Sequence, residues 1–155
     1  MFIDPLLHEP DLAVLPILLR VARQVERRIA GLLLTEFALK RAQWRVLAFA
    51  CSHEAAIAAD ICSAFDADRA EVSRAVDHLE AAGLIERRRN PDYRQRPILC
   101  ATQAGRALFE RASARCRATA LALMGGLSAQ NRQSLDLALR SLSGRLGGPA
   151  GLPFG

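Results

Sequence analysis

Between Asp66 and Ala101 the hydrophobic period of the chain changes from that of a helix to that of a strand, and this change limits the fold more than any other feature. The stretch DADRAEVSRAVDHLEAAGL opens with Asp68 as an N-cap and Glu71 three residues on, the capping-box arrangement that satisfies free amides at a helix start. At about 100° per residue, Val72, Val76 and Leu79 fall on one side and face a core. Gly83 ends the helix as a C′ glycine, with Leu84 next to it to fold back on the last turn. LIERR and RPILCA then read as two short strands joined by an Asn-Pro-Asp-Tyr turn. Two shorter helices come before, Arg41 to Cys51, with Trp44, Leu47 and Ala48 on one side, and Ile57 to Phe65. Helix, turn, helix and basic hairpin in that order describe a winged helix-turn-helix.

The side of this helix opposite the core is centred on Ala70, Arg74, Asp77 and Ala81, flanked by Glu71, Ser73 and His78. An arginine among small residues suits a major groove, because Arg pairs with guanine O6 and N7 while Ala meets a thymine methyl. A solvated amphipathic face is the alternative reading, and the hairpin decides against it. From Leu84 to Arg106 six arginines (87, 88, 89, 94, 96 and 106) stand against Glu86 and Asp92, a local excess of 6 − 2 = 4 positive charges. Self-repulsion of that kind is offset when phosphates lie alongside. The whole chain repeats the bias, with 21 basic residues, only Lys40 a lysine, against 16 acidic ones. Guanidinium is the group suited to gripping phosphate with two bonds at once.

The rest of the chain is helical. An apolar stretch runs from Asp11 to about Thr35, with Pro16 near its start; Thr102 caps a long helix to Met124; Gly125-Gly126 breaks it; and Ser128 caps a last helix striped by Leu135, Leu139, Leu142 and Leu146. The organisation expected over 1–155 is a single-domain chain with a first dimerisation helix (11–38), a DNA-binding lobe (40–101), C-terminal dimerisation helices (102–146) and a disordered Gly/Pro-rich tail (147–155). The start lacks a basic segment followed by an apolar run, and no apolar stretch is long enough to span a bilayer, so a cytoplasmic chain without membrane contact is expected.

In order and spacing, DICSAFDADRAEVSRAVDHLEAAGLIERRRNPDYRQRPILCATQAGRAL resembles the MarR (multiple antibiotic resistance regulator) family of transcription factors. The resemblance includes the D-x-R wing, Asp92-Tyr93-Arg94, and the entry to the next helix, Ala101-Thr102-Gln103-Ala104-Gly105; AQWRVLAF (42–49) is similar to the family's second helix. It implies a homodimer presenting two winged helices to a pseudo-palindromic operator in double-stranded DNA, acting as a repressor. Carried over by position, Asp68 begins the recognition helix, Ser73 and Arg74 match its Ser-Arg pair, and Arg94 matches the wing-tip arginine of the minor groove. Asp92 is expected to orient Arg94 through a salt bridge, and Arg96 to support the wing or meet phosphate. The expected DNA-binding set is Arg69, Ala70, Ser73, Arg74, Asp77, His78, Arg88, Arg94 and Arg96, with Arg87 and Arg89 as further phosphate neutralisers. Two positions depart from the pattern: Asp66 stands where Gly is frequent, tolerable because Asp adopts the left-handed conformation, and Glu71 where Thr or Ser is frequent.

Control of such a regulator is less legible. The family commonly binds small aromatic or phenolic acids beside the dimer helices, and Arg20, Arg23 or His8 stand where they would pair with a carboxylate, with Trp44 lining the cleft. The other reading makes Trp44 core and the arginines surface. Oxidant sensing through cysteine is the alternative control; Cys51, Cys62, Cys100 and Cys116 contain no CxxC pair, and only Cys116 is flanked by arginines. Cys51 and His53 are the nearest nucleophile-base pair, but two residues apart at a helix end they point in different directions. Histidines at 8, 53 and 78 make a poor metal set. No enzyme activity, metal or cofactor is expected; a winged helix that binds protein is the remaining rival.

Overall fold

The computed structural model describes residues 13–147. Along them run α1 (Val14–Phe37), α2 (Arg41–Ser52), α3 (Ala58–Phe65), α4 (Arg69–Ala81), β1 (Ile85–Arg88), β2 (Ile98–Ala101), α5 (Gln103–Met124) and α6 (Ala129–Arg145). This is the mainly helical winged arrangement expected, although α1 continues to Phe37 and Ile57 is the N-cap of α3 rather than its first residue. Pro16 sits in the first turn of α1, where a missing N–H costs no helical hydrogen bond. His8, Asp11 and the tail from 148 onward lie outside the described residues.

Each junction is closed by a local backbone device. Asp68 Oδ1 accepts the Glu71 N–H at 2.9 Å, one half of the expected capping box. At α2 the other half forms alone: the Lys40 N–H donates to Gln43 Oε1 at 2.8 Å. Asp66 ends α3 at φ 47°, the left-handed conformation expected of it, and Ala38 ends α1 the same way at φ 54°, with its N–H on the Leu34 carbonyl. No glycine marks that second turn in the sequence, which is why it was not legible there. Gly83, at φ 68°, ends α4; its N–H donates to Glu80 O and the Leu84 N–H to Leu79 O, both at 2.9 Å. These two bonds form a Schellman motif, and they satisfy carbonyls that the helix end leaves open.

The hairpin pairs Ile85 with Ala101 through Arg88 with Ile98 in antiparallel register. The connection, residues 89–97, is longer than the four-residue turn expected and consists of two turns. Asn90 is buried, and its Oδ1 accepts the N–H groups of Asp92 and Tyr93 at 3.0 and 3.3 Å. The Arg96 N–H then bonds Tyr93 O at 2.9 Å, which leaves Arg94 and Gln95 as the central residues of the tip turn. Behind the wing, Leu99 N–H donates to Ala56 O at 2.7 Å and ties the hairpin to the start of α3.

One core lies beneath this lobe. Val46 and Leu47 of α2, Ile61 of α3, Val72, Val76 and Leu79 of α4, and Ile85 and Leu99 of the wing are buried together, with Leu33 of α1 and Ala112 of α5 closing it. The positions on α4 read as core-facing are therefore core, joined by Ala75. α6 buries none of its residues against the chain. Among the described residues no helix is long and apolar enough to cross a membrane.

The lobe and α5 meet at Gly105, where an added Cβ would lie 2.0 Å from the Leu84 carbonyl oxygen and 3.3 Å from Leu47 Cδ1. The obstruction at 2.0 Å is backbone, so relief requires moving α5 away from the wing. Gly105→Ala should therefore destabilise the fold by at least the roughly 1–3 kcal/mol usual for overpacking, read as a lower urea midpoint at fixed protein concentration. Gly126→Ala, where nothing lies within 4 Å, is the control that should leave the midpoint within about 0.5 kcal/mol of the parent.

Candidate nucleic-acid interface

Because Val72, Ala75, Val76 and Leu79 are buried, α4 must expose its other side, and Arg69, Ala70, Glu71, Ser73, Arg74, Asp77, His78 and Ala81 are all exposed. Every recognition-helix residue singled out from the sequence therefore lies on one accessible surface. The wing stands beside it across a cleft of about 290 Å³, with Arg69 and Ser73 on one wall and Gln95 and Arg96 on the other.

The arginines of this surface are not equivalent. Arg69, Arg74, Arg89 and Arg94 form no ion pair among the described residues. Arg96 places its guanidinium 5.7 Å from the Tyr93 ring centroid. Arg88 is exposed but pairs with Glu86 of its own strand, its Nε donating to Oε1 at 2.7 Å. Arg87 turns the other way: its Nη2 lies 2.6 Å from Asp77 Oδ1, and its Nη1 contacts Glu80 Oε2. Strand parity explains the split, since Arg87 shares a face with buried Ile85 and Arg88 with Glu86.

Asp92, expected to hold Arg94 by a salt bridge, makes no such bridge in this structure; its backbone N–H is held by Asn90. The wing is organised by that Asn side chain, a role missed in the sequence although an Asn ahead of Pro-Asp is a known turn former. The Glu71 carboxylate is exposed at the first turn of α4, where a helix N-terminus favours negative charge.

A second concave site lies between α1 and α2, about 230 Å³ in volume and lined by Glu26, Ile29, Leu33, Arg41, Trp44 and Arg45. Trp44 borders it and stacks on Phe109, with ring centroids 5.4 Å apart. Its cations are Arg41 and Arg45, both on Glu26 Oε1, Arg45 at 3.7 Å. Arg20 and Arg23, expected here, are exposed along α1 and are not among the lining residues. The helical phase of α1 turns Glu26, Ile29 and Leu33 toward α2 instead; spacing from Trp44 did not reveal this because the crossing of the two helices sets it.

Burial is the main influence raising the thiol of Cys51 above the usual cysteine range, opposed by Arg106. Cys116 is raised for the same reason, with Glu36 adding to the effect and Arg115 opposing it. Arg115 is itself bound to Glu36 at 2.8 Å, so the flanking charge read as activating is largely compensated. His53 stacks on Phe49 at 3.8 Å, and its Nδ1 lies 3.0 Å from Phe49 O, so the imidazole is engaged by Phe49. No three His, Cys, Asp or Glu side chains gather as a metal site among the described residues.

An exposed helix face beside a basic two-stranded wing defines the winged helix-turn-helix class. Residues 39–96, from the start of α2 to the wing tip, match the model of the MarR family. No curated protein sequence matches the chain. Among solved structures, it is similar to a MarR-family transcriptional regulator from Rhodococcus sp. RHA1, with 24% identity, a TM-score of 0.74, and 88% of this chain and 96% of that one covered. CouR from Rhodococcus jostii RHA1, solved bound to p-coumaroyl-CoA, aligns at 24% identity and TM-score 0.70 over 89% and 94%. BpsR of Bordetella bronchiseptica, whose DNA binding is regulated by 6-hydroxynicotinic acid, aligns at 24% and 0.65 over 80% and 96%. The match to the MarR family model is confined to the helix-turn-helix and wing, and the chain as a whole has the fold of that family's solved transcriptional regulators.

Proposed function

We propose that the protein is a homodimeric, sequence-specific DNA-binding regulator, a repressor released from a pseudo-palindromic operator by a small aromatic or phenolic acid. The observation that carries this reading is the pair of unpaired arginines, Arg74 at the middle of the exposed α4 face and Arg94 at the turn of the wing tip. A guanidinium without a protein counter-ion gains most from a nucleic acid. Arg74 is assigned to guanine, Ala70 to a thymine methyl, and Ser73, Asp77 and His78 to the edges of the same groove. Arg94 enters the minor groove, whose negative potential attracts arginine. Arg69, Arg96 and Arg88 meet phosphates; Arg88 must first leave Glu86, which costs little because exposed ion pairs are worth about 0–1 kcal/mol. Asp92 supports the wing through its Asn90-held backbone.

The dimer follows from apolar surface left uncovered at both ends of the chain. Val14, Ile17 and Val21 of α1, Leu121 of α5, and Leu135, Leu139 and Leu142 of α6 are all exposed. In proteins most helical stability comes from burying an apolar face rather than from propensity, and a two-fold partner covers such a face on both chains at once. Two recognition helices about 34 Å apart would then meet successive turns of one DNA face. This assembly acts where the genome lies, in the cytoplasm.

The ligand reading places an aromatic acid in the α1–α2 cleft. Its ring lies along Trp44, Ile29 and Leu33, and its carboxylate competes with Glu26 for Arg41 and Arg45. CouR and BpsR, with an aromatic thioester and an aromatic acid, support that class of effector. The raised thiols of Cys51 and Cys116 weigh against those two cysteines as thiolate-based oxidant sensors.

Fluorescence anisotropy with DNA from upstream of the protein's own gene and a scrambled duplex, across a salt series, tests the central proposal. Tight binding to the first alone is expected. Arg74→Ala should lose about 1–3 kcal/mol and relax sequence preference; Arg94→Ala should weaken binding strongly. Equal, weak binding to both duplexes, or parent-like variants, sinks the reading and moves a protein partner ahead.

For the dimer, light scattering on the parent should give twice the chain mass of 16.9 kDa. Leu139→Glu should shift it toward monomer and abolish operator binding; a monomeric parent overturns the assembly. The effector is tested through Trp44, the only tryptophan in the chain. Titration with salicylate or 4-hydroxycinnamate should change its emission saturably, and Arg45→Ala should weaken that response. An unchanged spectrum at millimolar ligand removes the cleft from consideration.

A further inference from the structure

Arg87 is the one guanidinium of the wing that points inward, and the DNA-binding reading does not use it. We propose that Arg87 is a positioning residue that sets the wing against the recognition helix, and not a phosphate contact; this inference deepens the DNA-binding reading and rests on it. Its side chain is half as exposed as that of its neighbour, 34% against 67% for Arg88. It reaches Asp77 Oδ1 with Nη2 and Glu80 Oε2 with Nη1, so each arm of the planar fork holds a different carboxylate. Asp77 and Glu80 are three residues apart on α4 and lie on one flank of it, the flank that faces β1.

The charge balance separates this arginine from the others. One guanidinium faces two carboxylates, so the trio carries a net charge of −1 and has no positive charge left for DNA. Ile85 and Leu99 pack on Val72, Val76 and Leu79 of α4 at the base of the wing, but beyond that core and the turn at Gly83 the β1–β2 ladder hydrogen-bonds only to itself and to Ala56. A two-armed arginine therefore limits how far the wing tip, and with it Arg94, swings relative to Arg74. A lysine at 87 keeps the charge but not the fork, because an ammonium is a point charge on a flexible stem.

Two opposed signs make the test sharp. Glu80 lies off the exposed reading face, and Glu80→Gln removes one of the two carboxylates that hold Arg87. If Arg87 binds phosphate, freeing it from Glu80 strengthens operator binding. If Arg87 is the tie, binding weakens, roughly three- to tenfold.

The experiment compares parent, Arg87→Gln, Glu80→Gln and the double variant by operator anisotropy over a salt series. Hydrogen exchange of the wing amides of residues 89, 90 and 92–96 is followed in the same four proteins without DNA, with melting temperatures recorded as a fold control. The tie predicts faster wing exchange in both single variants and a double variant no worse than Arg87→Gln. It also predicts an unchanged slope of log affinity against log salt. Loss of a phosphate contact instead lowers that slope by about 0.9 per contact. A lowered slope with parent-like exchange, or Glu80→Gln binding more tightly than parent, overturns the proposal. If the parent binds no DNA at any salt, the DNA-binding reading fails by itself, and the exchange data still decide whether Arg87 holds the wing.

Discussion

The backbone of α5 passes so close to the Leu84 carbonyl that only glycine fits at position 105, and four elements are joined at this point. Thr102 Oγ1 accepts the Gly105 N–H at 3.0 Å and donates to Gly83 O at 2.7 Å, while the Thr102 N–H donates to Leu84 O at 3.0 Å. The end of the recognition helix, the start of β1, the end of β2 and the start of α5 are thereby held within hydrogen-bonding distance of one another. Each bond is modest, about 1 kcal/mol net, but their shared location makes the angle between α4 and the wing a property of the fold. The positions of α4 and of the long helix α5 are thus coupled through one turn.

If the protein is the ligand-controlled DNA-binding regulator proposed above, that coupling has a consequence for its regulation. The α1–α2 cleft shares Leu33 and Trp44 with the structure that supports the lobe: Leu33 is in the core, and Trp44 packs on Phe109 of α5. A ligand that displaces Glu26 from Arg41 and Arg45 acts where α1, α2 and α5 meet. α2 packs on α4, so a shift of α2 moves the recognition helix. A ligand alters DNA affinity only through different affinities for the two arrangements, and the Glu26 contacts are the natural place for that difference to arise.

Much of the architecture was legible because it is written locally. Asp68, Thr102 and Ser128 each accept the N–H expected of an N-cap; Gly83 and Asp66 take the left-handed conformation; and Val72, Val76 and Leu79 are core. The exposed side of α4 follows from the buried side by helical geometry alone. Where local signals were incomplete the reading was incomplete too. Ala38 adopts a conformation that its side chain does not favour, held by the α1–α2 junction rather than by its identity. The wing connection is ordered by a buried Asn90 instead of an Asp92–Arg94 bridge, because a short side chain that reaches nearby amides outcompetes an exposed ion pair.

By itself, the sequence determined the elements, their caps, the face of α4 that meets solvent and the excess of arginine on the wing, since each depends on residues within one or two helical turns or one strand period. Only the tertiary structure decided which arginine does what. Arg87 meets Asp77 and Glu80, Arg88 meets Glu86, Arg41 and Arg45 share Glu26, and Arg74 and Arg94 are left unpaired. The physical reason is reach: a guanidinium sits at the end of a long, flexible stem, and its partner is chosen by the distance between whole elements, a quantity that no local pattern encodes.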